Sequence, residues 1–173
     1  GALKIDRELG VAWLGMARTY RLLNQLEAAQ EHIDRALRLL PEDDPSAASE
    51  AALLALDVGD ISAASKYIDS ADIHGNSSTI RYVRGNIAAR AGHIEKALMN
   101  FDEALSLDPG HIRARLNRCS ALMALGEAKK AMDDADILLD LAPSLTLARL
   151  RRAAASMRLC AGKHARDDLK MVL

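Results

Sequence analysis

Between Ile87 and Pro109 the chain reads IAARAGHIEKALMNFDEALSLDP, a ladder of small and large apolar residues. Gly92 marks a turn, Ala97 follows five residues later, and Phe101, Ala104 and Pro109 complete the ladder. Apolar spacings of three and four put these side chains on one face of a helix. The ladder recurs. Aligning each turn residue with the alanine after it gives Asn24/Ala29, Gly59/Ala64, Gly92/Ala97, Gly126/Ala131 and Cys160/Ala165. Those alanines lie 35, 33, 34 and 34 residues apart, a period typical of arrays built from helix pairs. The expected fold is all-α, a single array over residues 1–173 of about five helix pairs at 10–41, 45–76, 78–109, 112–143 and 146–173. All four prolines, Pro41, Pro45, Pro109 and Pro143, fall between these units, where a helix must stop.

In the first unit Trp13, Met16, Ala17, Tyr20, Ala29, Ile33, Ala36 and Pro41 stand at fixed offsets. This order, W-x2-large-small-x2-Y, then A-x3-large-x2-A, then P, resembles the signature of the tetratricopeptide repeat (TPR) family. The resemblance covers essentially the whole chain and implies a right-handed superhelical solenoid of antiparallel helix pairs. Small residues such as Ala17 and Ala29 let the two helices of a pair approach, while Trp13, Tyr20 and Ile33 fill the wedge between them. The second unit keeps Ala48, Ala52, Gly59, Ala64, Ile68 and Ala71, but has small residues in place of Trp and Tyr and closes on His74-Gly75-Asn76 rather than proline. It is expected to be the most weakly packed. The third keeps Gly85, at a close helix contact, and Ala88. The fourth keeps Cys119, Leu122, Ala135 and Pro143, and the fifth Ala153 and Leu169. Residues 1–7 read either as the last turns of an upstream helix, by analogy with Ala104 to Pro109, or as a lead-in to the first helix. Both ends look cut, since Leu169, Met171, Val172 and Leu173 would leave an apolar face open. The expectation is a fragment of a longer array, or self-association through terminal helices.

Composition supports helices. Half the residues are hydrophobic but only 3% are aromatic, so the apolar content is mostly Ala and Leu. A net charge of -1 with 27% charged residues gives no case for nucleic acid or an anionic membrane. No apolar run approaches the roughly 20 residues of a membrane span, and no signal peptide is evident, so a cytoplasmic protein is expected.

Candidate chemistry is sparse. His32, His74, His93, His111 and His164 show no metal or metalloprotease spacing and read as solvated turn residues. Asp43-Asp44, Asp133-Asp134 and Asp167-Asp168 are adjacent pairs that diverge by about 100° on a helix, and read as solvated surface. Cys119 and Cys160 read as small helix residues. No phosphate loop or nucleophile motif occurs. The chain reads as a non-enzyme with no cofactor or metal.

The TPR resemblance implies that the first helix of each pair lines a concave groove that binds extended peptides. Carried over by offset, the groove positions include Arg18, Arg21, Glu50, Asp57, Tyr82, Asn86, Arg90, Arg113, Asn117, Ser120, Arg151 and Arg158. Six arginines face two acids, and arginine grips carboxylates bidentately, so an acidic or C-terminal peptide is expected. The alternative is that these arginines pair locally on the surface. Asn86, Asn117 and Arg151 also match three of five positions of the dicarboxylate clamp of TPR co-chaperones, which implies a chaperone C-terminal tail as a partner. Tyr82 and Leu147 stand where the clamp has lysines. Two other readings remain open: a docking or scaffold arm of a larger enzyme or secretion factor, and a structural subunit of an assembly.

Overall fold

The computed structural model describes residues 2–71, 77–159 and 170. Of the sequence features above, Cys160, Ala165, Leu169 and the three terminal residues lie outside these, as do His74, Gly75, Asn76, His164, Asp167 and Asp168. The described residues form nine α-helices: α1 (Ala2–Leu22), α2 (Leu26–Leu39), α3 (Pro45–Asp57), α4 (Ile61–Ala71), α5 (Ser78–Arg90), α6 (Ile94–Leu107), α7 (Ile112–Ala124), α8 (Ala128–Leu141) and α9 (Thr146–Arg158). Each odd helix packs on the even helix that follows and on the next odd helix, so α1, α3, α5, α7 and α9 form one layer. Helix α1 is continuous from Ala2 to Leu22, so residues 2–7 form its first turns.

The turn inside each pair is set by one backbone conformation. Asn24, Gly59, Gly92 and Gly126 have φ of 59°, 88°, 81° and 82°. This is the left-handed region where glycine and asparagine cost least. The next residue donates back to the helix: Gln25 N–H to Tyr20 O at 2.9 Å, Asp60 to Ala55 at 2.8 Å, His93 to Ala88 at 2.9 Å and Glu127 to Leu122 at 2.8 Å. That Schellman closure satisfies carbonyls the helix end would otherwise orphan. Five residues after each turn residue comes a fully buried alanine: Ala29, Ala64, Ala97 and Ala131.

Across each pair the packing is size-compensated. Ala17 is partnered by Ile33 and Ala52 by Ile68 at equivalent positions, whereas Gly85 is partnered by Phe101 and Cys119 by Ala135. A Cβ on Gly85 would stand 2.3 Å from Phe101 Cε1, so only glycine leaves room for that ring. The Cys119 thiol is buried, donates to Ala131 O at 3.3 Å, and is pushed up to about 12 in pKa chiefly by burial. It is an inert packing residue.

The second pair departs from expectation. All ten residues from Ala47 to Leu56 are buried, making α3 the most enclosed helix described. Its alanines do not weaken packing; they let α1, α2, α4 and α5 close around it. Asp44 caps α3, its Oδ1 accepting from Ser46 and Ala47 N–H at 3.0 and 2.9 Å, with Pro45 at the first helical position.

Candidate functional site

The odd-helix layer carries the predicted groove, and its two ends differ. At the α1–α3–α5 end the arginines are paired. Arg18 Nε donates to Glu50 Oε1 at 2.6 Å and Arg21 Nε to Glu50 Oε2 at 3.3 Å. Arg21 Nη1 donates to Asp57 Oδ2 at 2.9 Å, and Arg90 Nη2 approaches Asp57 Oδ1 at 3.9 Å. Glu50 is only 2% exposed. Two carboxylates thus hold three arginines. Arg18, Arg21 and Arg90 are paired locally, as the alternative reading had it, while the Arg18 and Arg90 side chains stay 46% and 57% exposed. Long side chains from α1 reach a residue one helix away, which an offset count does not register. Arg90 Nη1 also donates to Leu56 O at 3.0 Å.

At the α5–α7–α9 end the groove positions of α7 and α9 hold no acid. Arg113 and Arg151 are exposed and make no ion pair among the described residues. Arg113 lies over the Tyr82 ring at 5.8 Å, within cation–π reach. Arg158 Nη1 donates to Met123 O at 3.2 Å and makes no ion pair among the described residues. Asn117 Nδ2 donates to Asn86 Oδ1 at 2.7 Å, so the two amides predicted to face the groove are joined. The Asn86 Nδ2 donor and the Asn117 Oδ1 acceptor have no hydrogen-bond partner among the described residues. Ser120 Oγ donates to Leu116 O within its own helix at 3.2 Å. Tyr82 is 8% exposed and acts as a wall, its ring 6.4 Å from Phe101 and 5.0 Å from His111.

A cleft of about 330 Å³ joins the two ends, floored by Leu53, Leu56, Tyr82 and Ala89 and edged by Arg21, Asp57, Arg90, Asn86 and Asn117. It gathers most of the central groove positions into one concavity; Arg151 stands apart on α9. The charged rim and apolar floor suit an extended segment with both polar and aliphatic side chains.

Sequence reasoning missed a second charge system. Arg84 pairs with Asp69 at 3.0 Å, Arg118 with Asp102 at 2.7 Å and Arg152 with Asp136 at 2.8 Å, each joining an odd helix to the even helix before it. Arg118 also donates from Nε to Asp134 Oδ2 at 2.7 Å, and Arg115 Nη1 to Asp134 Oδ1 at 3.1 Å. The Asp134 carboxylate pushes the Arg118 pKa up, so its charge is fixed. Arg115 Nη2 donates to Pro109 O at 2.7 Å, and Arg149 Nη2 repeats the contact at Pro143 O. Asp134 is 2% exposed, correcting its reading as solvated surface. The signal was present: arginines three apart at Arg81/Arg84, Arg115/Arg118 and Arg149/Arg152 recur every 34 residues.

Two histidines are also not solvated. His32 is buried between Trp13 and Tyr20, with ring centroids 5.2 and 4.8 Å away, and its Nδ1 lies 2.7 Å from Ala28 O. His111 Nδ1 accepts from Ala114 N–H at 3.1 Å, capping α7. Burial, aided by Arg113 and opposed by Asp108, holds the His111 pKa below its ordinary value. Among the described residues no cluster of His, Cys, Asp and Glu could hold a metal ion, and no helix is long and apolar enough to cross a membrane.

The fold and its groove define a helical repeat scaffold for protein–protein interaction. Tetratricopeptide repeat models match residues 11–43 and 88–155, and the chain belongs to the tetratricopeptide repeat family. No curated protein sequence matches it. Among solved structures, PilF of Pseudomonas aeruginosa is 16% identical with a TM-score of 0.81, covering 99% of this chain and 77% of its own. TTC0263, a thermophilic TPR protein of Thermus thermophilus, is 20% identical with a TM-score of 0.81, covering 95% and 90%. YrrB, described as a TPR protein with an unusual peptide-binding site, is 18% identical with a TM-score of 0.64, covering 99% and 88%. At these identities the likeness concerns the fold: a superhelical solenoid of antiparallel helix pairs.

Proposed function

We propose that the array is a non-catalytic module that binds an extended acidic segment of a protein partner at the α5–α7–α9 end of its groove. The observation that carries this reading is the joined Asn86–Asn117 amide pair beside two arginines, Arg113 and Arg151, that have no carboxylate partner among the described residues. Amides can bond a peptide backbone in both senses, and the arginines can take carboxylates. The peptide-binding site named for YrrB supports a groove ligand in a related fold. A chaperone C-terminal tail is the narrower version. Against it, Tyr82 and Leu147 replace the clamp lysines, and Tyr82 is walled in by Phe101 and His111.

The test is fluorescence anisotropy with Glu- and Asp-rich peptides, each made with a free and an amidated C-terminus. Arg151→Gln combined with Asn117→Ala should weaken binding at least tenfold and leave the circular dichroism melt in place. Binding should also weaken with added salt. Equal loss of affinity and melting temperature, or salt-insensitive binding, would sink the reading. Equal affinity of free and amidated peptides would remove the C-terminal-tail version alone.

A further inference from the structure

The face of α5 that turns from the groove toward α4 and α6 closes a second cleft, about 300 Å³ in volume. Ile61, Ile68, Ile87 and Ala88 give it an apolar floor, and Arg84, His93 and Lys96 a basic rim. Asp69, held by Arg84 at 3.0 Å, is the one acid that lines it among the described residues. One repeat later, α6, α7 and α8 form a cleft of about 310 Å³ at the equivalent place, and its charge is the reverse. There Asp102, Asp133 and Asp134 stand against Arg118 and Lys130. The inversion comes from the even helices. Where α8 has Glu127, Asp133 and Asp134, α6 has His93, Met99 and Asn100. Lys130 is paired with Glu127 at 3.2 Å, whereas the equivalent Lys96 makes no ion pair among the described residues. Asp134 accepts from Arg115 and Arg118, whereas Asn100 donates from Nδ2 to Lys96 O of its own helix at 2.7 Å. One junction earlier the Asn100 position holds Tyr67, which packs against both neighbouring core clusters.

We propose that the α4–α5–α6 cleft binds a small monocarboxylate with an apolar body, an acid of the size of 4-methylpentanoate or phenylacetate. Three observations select this class. Arg84 and Asp69 offset one another, so the rim keeps the charge of Lys96; that suits a monoanion, and Asp69 disfavours a dianion such as phosphate. The floor is aliphatic, so the rest of the ligand is apolar. An apolar cavity of about 150 Å³ holds a six-carbon ring, so a cleft of about 300 Å³ takes such a body with its carboxylate and the water that stays on it. The donors are equally defined. Ser65 Oγ donates to Ile61 O at 3.0 Å and Asn100 Nδ2 is committed to Lys96 O, so neither proton serves a ligand. His93 stands at the start of α6 without capping it through its side chain. The Lys96 ammonium therefore takes the carboxylate, and the His93 imidazole donates the second hydrogen bond. The site uses none of Asn86, Asn117, Arg113 or Arg151 and stands independently of the groove reading. The carboxylate belongs either to a free acid or to the last residue of a protein chain, and its recognition chemistry is the same in both.

The probes are 4-methylpentanoate, phenylacetate and the neutral 4-methylpentanamide, titrated into protein labelled at its isoleucine δ1 methyls for NMR. The acids should shift Ile61, Ile68 and Ile87 and leave Ile33 and Ile137 in place. The amide should bind at least tenfold more weakly than the acids. Lys96→Gln and His93→Glu, both at exposed positions, should each weaken the acids at least tenfold with the melt unchanged; His93→Glu installs the residue that α8 carries there. Arg113→Gln with Arg151→Gln should leave acid binding within twofold, which separates this cleft from the groove. Peptides ending in Gly-Gly-Leu, with free and amidated C-termini, identify the source. A free terminus that binds more tightly than 4-methylpentanoate assigns the carboxylate to a protein partner, a weaker one assigns it to a free acid, and either supports the site. The proposal is overturned by no shift at the three isoleucines across the millimolar range, by equal affinity of acid and amide, by binding that neither rim variant weakens, or by binding that is lost with Arg113 and Arg151.

Discussion

The two ends of the groove are built from the same repeat and present opposite surfaces. At the α1–α3–α5 end, Glu50 and Asp57 draw Arg18, Arg21 and Arg90 into ion pairs, and α3 disappears beneath its neighbours. At the α5–α7–α9 end the carboxylates lie elsewhere. Asp102, Asp134 and Asp136 are held by Arg115, Arg118 and Arg152 on contacts with the even helices, leaving Arg113 and Arg151 to the groove. Ion pairs on the even-helix side occur in both halves, Arg84–Asp69 in one and Arg118–Asp102 and Arg152–Asp136 in the other, whereas ion pairs between groove positions occur, among the described residues, at the α1–α3–α5 end. Whether a groove is open depends less on how many arginines line it than on where the partner acids sit.

The comparison can be broken most forcefully at Asp134. Asp134→Ala leaves the buried Arg115 charge without a carboxylate and removes two of the three hydrogen bonds of Arg118. Removing one partner of a buried pair costs about 3–5 kcal/mol. The melting temperature should fall by roughly ten degrees, measured by circular dichroism. Next comes the border between the halves. Gly85→Ala should cost about 1–3 kcal/mol by overpacking against Phe101. Adding Phe101→Leu should recover part of that loss; a melt unmoved by Gly85→Ala would mean the contact is not tight. The closed half is opened by Glu50→Ala, which frees Arg18 and Arg21. Stability should fall by about 2 kcal/mol, while affinity for an acidic peptide should rise several-fold as a second cationic patch appears.

The smallest effect is a pH dependence at the start of α7. His111 accepts from Ala114 N–H only when neutral, and its folded pKa lies below the unfolded value. Its cap is therefore complete above about pH 6.5 and is lost as pH falls through the lower folded pKa. The loss is about 1 kcal/mol, that of a helix cap. His111→Ser keeps a capping oxygen that does not titrate, so stability between pH 7 and pH 5 should vary less than in the parent. Identical pH profiles would remove the cap from the account.

Much of the fold was legible because it rests on local requirements. Gly59, Gly92, Gly126 and Asn24 satisfy a backbone conformation, and Ala29, Ala64, Ala97 and Ala131 a close approach; both leave a periodic trace. The groove was legible as a set of positions but not as a surface. Exposure at Glu50 or Tyr82 depends on whether a side chain one helix away reaches across. Arg18 and Arg21 do so for Glu50, and Phe101 and His111 do so for Tyr82. Asp134 was misjudged for the same reason: its partners are 16 and 19 residues away.

The central claim is that ligand enters the open half and not the closed one. It is tested most directly by titrating an acidic peptide into nitrogen-labelled protein while following side-chain signals. The account predicts early shifts in the Asn86 and Asn117 amide groups and in the Nε signals of Arg113 and Arg151, with Arg18 and Arg21 unmoved. Shifts that begin at Arg18 and Arg21, or that leave both asparagine amides in place at saturation, would contradict it.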